Sequence, residues 1–313
     1  MKGIKVFNCS AGRQMTEEIC QYLGYEPGKI DIFKFDNDNT FVRILETVRE
    51  YDVYVVQTSM PPVDQNFMEL LITIDALKRA SAHRITAVMP YFPYSRSDRK
   101  DQPRVPITAK LVADLLTTAG ANRILTCDLH SPQIQGFFNI PVDQLTAREL
   151  LCNYFINKGY DDYVVVAPDA GSSKKAYKYA RMLNAPIAML DKRRLGNEQE
   201  VTIGSIVGNV KGLRAVIFDD EIDRCSTMME AVNTLLENGV KEVYIACTHP
   251  VFSGPAIERL RNLPVKEVVV TNTIPLTEEK KLDKITVLSM GPLFAETIKR
   301  IHKGESVGEI FHG

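Results

Sequence analysis

At 313 residues the chain exceeds what one ordinary core holds, so two domains are expected. Its 45% hydrophobic and 25% charged residues describe a globular protein rather than a disordered or fibrous one. A net charge of −1 argues against a nucleic-acid partner but leaves room for a local basic site. No apolar run reaches membrane-spanning length and the N-terminus lacks the apolar stretch of a signal peptide, so no membrane partner and a cytoplasmic location are expected. The six cysteines show neither CxxC nor metal-ligand spacing and read as reduced thiols.

Short apolar strands alternate with helical patterns along the chain, which is the signature of βαβ units and a parallel sheet. Strands are predicted at Ile4–Phe7, Ile30–Phe35, Val53–Gln57, Ile85–Met89, Ile124–Cys127, Tyr163–Ala167, Ile187–Leu190, Ala215–Phe218, Val243–Cys247 and Glu267–Val270. Helices are predicted at Asn66–Ala80, Ile107–Thr118, Ala147–Asn157 and Ser172–Leu183, with a further amphipathic one carrying Met228, Ala231, Val232, Leu235 and Leu236 on one face. Asp52-Val-Tyr-Val-Val and Asp162-Tyr-Val-Val-Val occupy similar places in the two halves and hint at duplication. A domain boundary is expected after Leu145.

Five segments carry chemistry. Tyr91-Phe-Pro-Tyr-Ser-Arg-Ser-Asp-Arg-Lys100 mixes aromatic and basic residues, as a nucleotide-stacking loop would. Asp128 and His130 end a strand two residues apart; if the chain stays extended they share a face, where they could bind a metal or orient a phosphate. A lone histidine there is more often structural. The run Val164–Lys174 is a strand, a carboxylate, a Gly/Ser turn and a helix, which suits a polyphosphate with its magnesium on Asp169; an ordinary βα turn is the rival reading. Lys192-Arg193-Arg194 precedes the polar run Gly196–Glu200 and suits a loop closing over phosphates, although such runs are commonly solvated surface.

The most informative segment is Ala215–Thr227. An apolar strand ends in four carboxylates within five residues, Asp219, Asp220, Glu221 and Asp223. Acids at the C-terminal end of a parallel strand lie where open α/β sheets bind ligands, and the turn behind them aims backbone N–H groups at an anion. Acids for a metal or sugar hydroxyls beside a phosphate cradle describe a phosphosugar site. The bland alternative is a strand end capped by Asp223 or Thr227. Cys225, at the helix start, has no candidate base beside it in sequence and reads as incidental. Neither GxxxxGK[ST] nor GxGxxG occurs.

Taken together, the chain resembles the ribose-phosphate pyrophosphokinase family (phosphoribosyl pyrophosphate synthetases) of the phosphate-dependent, hexameric class. Collinear motifs carry the resemblance, among them Met68-Glu-Leu-Leu-Ile, Pro106-Ile-Thr-Ala-Lys, Gln133-Ile-Gln-Gly-Phe-Phe, Pro168-Asp-Ala-Gly, Asp191-Lys-Arg-Arg and Thr248-His-Pro-Val-Phe-Ser-Gly-Pro-Ala. It implies an α/β fold of two phosphoribosyltransferase-like domains with parallel sheets, related by a pseudo-twofold axis. They would span 1–145 and 146–290, with a last helix at about 291–304 returning to the first. The implied reaction transfers the β,γ-diphosphoryl group of ATP to the 1-hydroxyl of ribose 5-phosphate, with Mg2+ as cofactor, in a homohexamer built from dimers.

The resemblance assigns roles residue by residue. Asp219 and Asp220 match the positions that hold the ribose hydroxyls and their magnesium, and Asp223, Arg224, Cys225, Ser226 and Thr227 match the loop gripping the 5-phosphate. His130 and Asp169 match metal-linked positions beside the ATP phosphates. Asp169, Ala170, Gly171, Ser172 and Ser173 match the pyrophosphate loop, and Lys192 and Arg194 the cations of the catalytic loop. Arg96 and Arg99 match ATP contacts, while Phe35, Asn37 and Asn39 match a loop reaching adenine from a neighbouring subunit.

Four departures stand out. The phosphate loop usually reads Asp-Thr-x-Gly-Thr, so Arg224 replaces a hydroxyl donor and Ser226 a glycine expected to need positive φ. Asn37 and Asn39 replace carboxylates, although an amide still accepts through its carbonyl oxygen. Ser172 stands where a second glycine is usual, and the segment around Arg104 is less basic than is usual. The alternative function is a non-catalytic homologue that assembles with and regulates an active synthetase.

Overall fold

The computed structural model describes residues 3–194 and 201–311, with the side chains of 192–194, 201–205 and 311 outside that description. Contacts divide the chain into two compact units, 1–146 with 273–275 and 289–313, and 147–272 with 276–288. Among the described residues no helix is long and apolar enough to cross a membrane.

The first unit is built on a five-stranded sheet of β1 (Ile4–Asn8), β4 (Asp52–Val56), β5 (Arg84–Met89), β6 (Arg123–Cys127) and β7 (Val142–Leu145), adjacent in that order. Every pair in it is parallel. β4 is buried along its whole length, which explains its unbroken apolar sequence after Asp52. Val53, Val55, Ile85, Ala87 and Met89 form one face of the sheet. They pack against Leu70, Ile74 and Leu77 of α2 (Val63–Arg79) and Val112 and Leu116 of α3 (Thr108–Ala119), residues spaced at helical period. α1 (Arg13–Leu23) packs on α8 (Gly291–Lys303), which the chain reaches only after completing the second unit. Between β1 and β4 the chain makes a separate antiparallel hairpin, β2 (Ile30–Lys34) and β3 (Thr40–Ile44).

The second unit holds a seven-stranded sheet. Its parallel part runs β9 (Ile187–Arg194), β8 (Tyr163–Ala167), β11 (Arg214–Ile222), β12 (Glu242–Pro250), β13 (Glu267–Thr271) and β14 (Ile285–Leu288). β10 (Val201–Val207) is the exception, pairing antiparallel with β9. One face carries Val164, Val166, Ile217, Ile245 and Val268 against Met228, Ala231, Val232 and Leu235 of α6 (Ser226–Glu237) and Leu260 of α7 (Ala256–Asn262). Near the other helices, α4 (Arg148–Asn157) and α5 (Ser173–Leu183), the contacts are aromatic. Phe155 meets Tyr163, Phe218 and Tyr244 edge-on, and Tyr179 stacks on Phe218 at 4.1 Å between centroids.

The anticipated strands and helices are present, several of them longer than expected: β11 continues through the acids to Ile222 and β9 reaches Arg194. Not anticipated were β3, β7, β10, β14, α1 and α7.

Candidate active site

The second unit presents its chemistry at the C-terminal ends of β8 and β11. β11 carries Asp219 and Asp220 at its end, both half-buried, and the backbone N–H of Asp220 donates to the Asp219 carboxylate at 2.8 Å. Partial burial and the adjoining Asp220 carboxylate raise the Asp219 pKa above the usual carboxylate range, against the pull of the nearby Lys175 ammonium. Two carboxylates held side by side, one reluctant to ionise, form an acceptor pair suited to hydroxyl donors or a cation.

Behind them lies the turn into α6. Its backbone is fixed from the β12–α7 loop: Phe252 N donates to Ile222 O at 2.9 Å, Ser253 N to Asp223 O at 3.1 Å, and the Ser253 hydroxyl to the Asp223 carboxylate. The Arg259 guanidinium donates to Arg224 O at 2.8 Å. α6 begins without a side-chain cap, so neither Asp223 nor Thr227 uses up its first N–H groups and the capping alternative fails. Those N–H groups and the helix dipole favour an anion.

A second βα turn follows β8. Asp169 accepts from Ser172 N at 2.8 Å through one oxygen, while the Ser172 hydroxyl oxygen accepts from the Asp169 N–H at 3.3 Å, closing a capping box. Ser172 therefore takes a structural part that the glycine usual there could not. Gly171 has less freedom, since a Cβ there would lie 3.3 Å from the Asp169 carboxylate. The other Asp169 oxygen makes no hydrogen bond among the described residues, so the carboxylate could coordinate a hard divalent cation, which prefers oxygen ligands. Ala170, Gly171, Ser172 and Ser173 form the turn and the start of α5.

In the first unit a cleft of about 560 Å³ is lined by Arg96, Asp98, Arg99, Asp101, Pro106, His130 and Ser131, among others. It joins the aromatic-basic loop to the end of β6, bringing two guanidiniums and an imidazole to one polyanion-sized space. Asp128 corrects the expectation of an extended Asp128–His130 segment: its φ of +33° turns the chain. The alternation that would align the two side chains stops there, and only His130 lines the cleft. Phe35, Asn37 and Asn39 form the tip of the β2–β3 hairpin, closed by Phe35 N donating to Asn39 O at 3.0 Å and Asn39 N to the Asn37 side chain at 3.2 Å. Phe35 is 49% exposed and packs edge-on with Phe33 and Phe41, leaving an aromatic surface on the hairpin. The side chains of Lys192 and Arg194 lie outside the described residues; their backbone forms the end of β9.

The profile of the N-terminal domain of ribose phosphate pyrophosphokinase matches residues 4–120, and that of the phosphoribosyl synthetase-associated domain matches 198–312. Ribose-phosphate pyrophosphokinase of Caldanaerobacter subterraneus subsp. tengcongensis is 52% identical over 310 residues, 98% of each chain. That of Clostridium acetobutylicum is also 52% identical, over 99% of this chain and 98% of its own. The chain belongs to the ribose-phosphate pyrophosphokinase family. The crystal structure of phosphoribosylpyrophosphate synthetase from Mycobacterium smegmatis superposes with a TM-score of 0.90 at 44% identity, covering 97% of this chain and all of that one.

Against the usual pattern of the family, the turn from β11 into α6 differs in where it needs its left-handed residue. Ser226 is the first residue of α6, and the left-handed residue is its neighbour Cys225, with φ of +62°. The turn therefore places its positive φ one residue earlier, and a serine at 226 needs no strained backbone. Cys225 is 5% exposed and burial pushes its thiol up to about 11, so it is a packing residue and not a nucleophile. Arg224 is exposed, and its side chain makes no hydrogen bond or ion pair among the described residues.

One contributor was missed from sequence. Lys175 on α5 places its ammonium 2.8 Å from Asp220 and 3.8 Å from Asp219. A signal existed: Lys174 and Lys175 sit in the first turn of a helix, where cations oppose the dipole and need a specific reason to be there.

Proposed function

We propose that this chain makes 5-phosphoribosyl 1-diphosphate and AMP from ATP and ribose 5-phosphate. The observation that carries the reading is the pairing, in the second unit, of the Asp219–Asp220 acceptors with the uncapped start of α6. That is a hydroxyl site followed by an anion site, in the order a phosphorylated sugar requires. The 1-hydroxyl oxygen attacks the β-phosphorus of ATP and forms the new O–P bond. The bond from that phosphorus to the oxygen bridging it to the α-phosphorus breaks, AMP leaves with that oxygen, and the hydroxyl proton passes to solvent. Such transfer depends on positioning and on neutralising phosphate charge.

Arg96, Arg99 and His130 line a cleft suited to the nucleotide, and the Asp169–Ser173 turn suits the diphosphoryl group. Lys192 and Arg194 supply catalytic cations in this reading, and the Phe35–Asn39 hairpin tip meets the adenine of a neighbouring subunit. His130 and Asp169 are each metal-linked positions in this reading, and the Asp169 oxygen that makes no hydrogen bond among the described residues supports its part as a magnesium ligand. When bound, the ion supplies charge neutralisation on the phosphate oxygens. The homohexamer belongs to the same proposal, supported by the exposed aromatic surface of Phe33 and Phe35, and so does a cytoplasmic location, supported by six buried cysteines that form no disulfide among the described residues.

The test is release of AMP from ATP with ribose 5-phosphate and magnesium by the purified chain. Turnover is expected. None across a range of phosphate, magnesium and ATP concentrations would replace the enzyme reading with that of a regulatory homologue.

A further inference from the structure

The acid pair at the end of β11 is held from one side by a single helix, at two points. Lys175 and Tyr179 are four residues apart on α5 and so share a face. Tyr179, 3% exposed, stacks on Phe218 with ring planes 11° apart, and Phe218 immediately precedes Asp219. Lys175 places its ammonium 2.8 Å from Asp220 and 3.8 Å from Asp219. The same helix starts on the Asp169 turn, whose capping box fixes its first residues. α5 is thus a rigid brace between the diphosphoryl turn and the ribose acids.

We propose that Lys175 is a positioning residue for ribose 5-phosphate, holding the Asp219–Asp220 pair in the geometry that accepts the sugar hydroxyls. The proposal rests on the activity given above and adds a specificity role to it. The chemistry is direct. Two adjacent carboxylates repel and, left alone, rotate apart or share a proton. An ammonium bonded to Asp220 offsets one of the two charges, so that Asp219 beside it can accept from hydroxyl donors. Lys175 occupies an unfavourable place for a cation near a helix N-terminus, and the acid pair compensates for that. Lys174 beside it is exposed and has no such role.

The experiment is calorimetric titration of ribose 5-phosphate, 2-deoxyribose 5-phosphate and ATP into wild type, Lys175→Met and Lys175→Arg. Loss of the charge-assisted contact should weaken ribose 5-phosphate about tenfold or more in Lys175→Met. Lys175→Arg should recover most of that affinity, and ATP binding should be unchanged. The deoxy sugar, with one hydroxyl fewer to place, should lose less than ribose 5-phosphate does. Unchanged ribose 5-phosphate affinity in Lys175→Met overturns the proposal. So does an equal loss for ATP, or for the deoxy sugar, either of which marks a merely structural lysine. Because titration needs no turnover, a wild type that binds ribose 5-phosphate but makes no product refutes the activity and still decides the role of Lys175. A wild type that does not bind the sugar phosphate refutes both.

Discussion

Asp52 and Arg84 open adjacent parallel strands in register, and the guanidinium closes on the carboxylate through two bonds, one of them Nε to Oδ1 at 2.7 Å. Asp52 is fully buried, and it also receives His302 of α8 at 3.0 Å, while Arg84 donates to Ile301 O at 3.2 Å. The same device recurs in the second unit. Asp162 precedes β8 and pairs with Arg214 at the start of β11, whose guanidinium also bonds Glu242 at 2.8 Å and lies over the Tyr160 ring. The likeness between the two Asp-led strands in sequence thus has a physical counterpart, an aspartate–arginine clasp at the N-terminal edge of each sheet.

Breaking the first clasp should cost more than breaking the second. Asp52→Asn leaves the Arg84 guanidinium, 27% exposed, without its carboxylate, a loss below the roughly 3–5 kcal/mol of a fully buried pair. Asp52→Asn should therefore lower the melting temperature by several degrees and loosen α8. Asp162→Asn, which leaves Arg214 bonded to Glu242 at 2.8 Å, should lose clearly less. Thermal melts of the two variants check this; equal losses, or none from Asp52→Asn, count against it.

Stability should also carry the signature of Asp219, whose pKa is pushed up to about 7 by partial burial and by Asp220. An unfolded aspartate titrates near about 3.9. Between those values the folded state binds more protons than the unfolded, so the contribution of Asp219 to stability falls as pH rises from about 4 to about 7. Asp219→Asn should flatten the stability–pH curve over that window and gain relative to wild type above it. Denaturant titrations at several pH values give the comparison. Parallel curves for the two proteins would show that Asp219 titrates normally.

The central strands and the acid-rich strand end were legible because both faces of the sheet are buried, which writes continuous apolar runs such as Val164-Val-Val-Ala into the sequence. Edge strands carry no such mark: β7 is Val142-Asp-Gln-Leu, and β14 is only partly buried. α7 spans 7 residues, too few for a period to show. The carboxylates and turns of the candidate site could be read locally. Lys175 could not, because its partner acids lie some forty-five residues away and meet it only through the sheet. The position of the positive φ in the turn from β11 into α6 was also hidden, since nothing in Cys225-Ser226 declares which residue turns left-handed.

Lys192→Ala should lower kcat by about a hundredfold or more, the scale of losing one preorganised transition-state contact. Ribose 5-phosphate affinity should change little, because in the proposed reaction the charge that Lys192 would neutralise develops during transfer. Steady-state kinetics beside direct binding separates the cases. Equal losses in kcat/KM and in binding affinity would make Lys192 a ground-state ligand instead.

Arg224 is the sharpest test of the phosphate-binding role proposed for the turn into α6. Its carbonyl is tied to Arg259, so its backbone is fixed, while its guanidinium is exposed beside the uncapped start of α6. A cation there opposes the helix dipole unless an anion joins it. With the 5-phosphate bound, the guanidinium can supply a charge-assisted bond of about 1.5–3 kcal/mol in place of the hydroxyl usual at this position. Arg224→Ala should therefore raise KM for ribose 5-phosphate about ten- to a hundredfold with a smaller effect on kcat. Arg224→Thr, which restores a hydroxyl donor, should recover much of the loss. If the side chain instead stays in solvent, both variants keep KM within about twofold, and Arg224→Thr gains activity from its added donor. A KM unmoved by Arg224→Ala settles the matter against the ligand role.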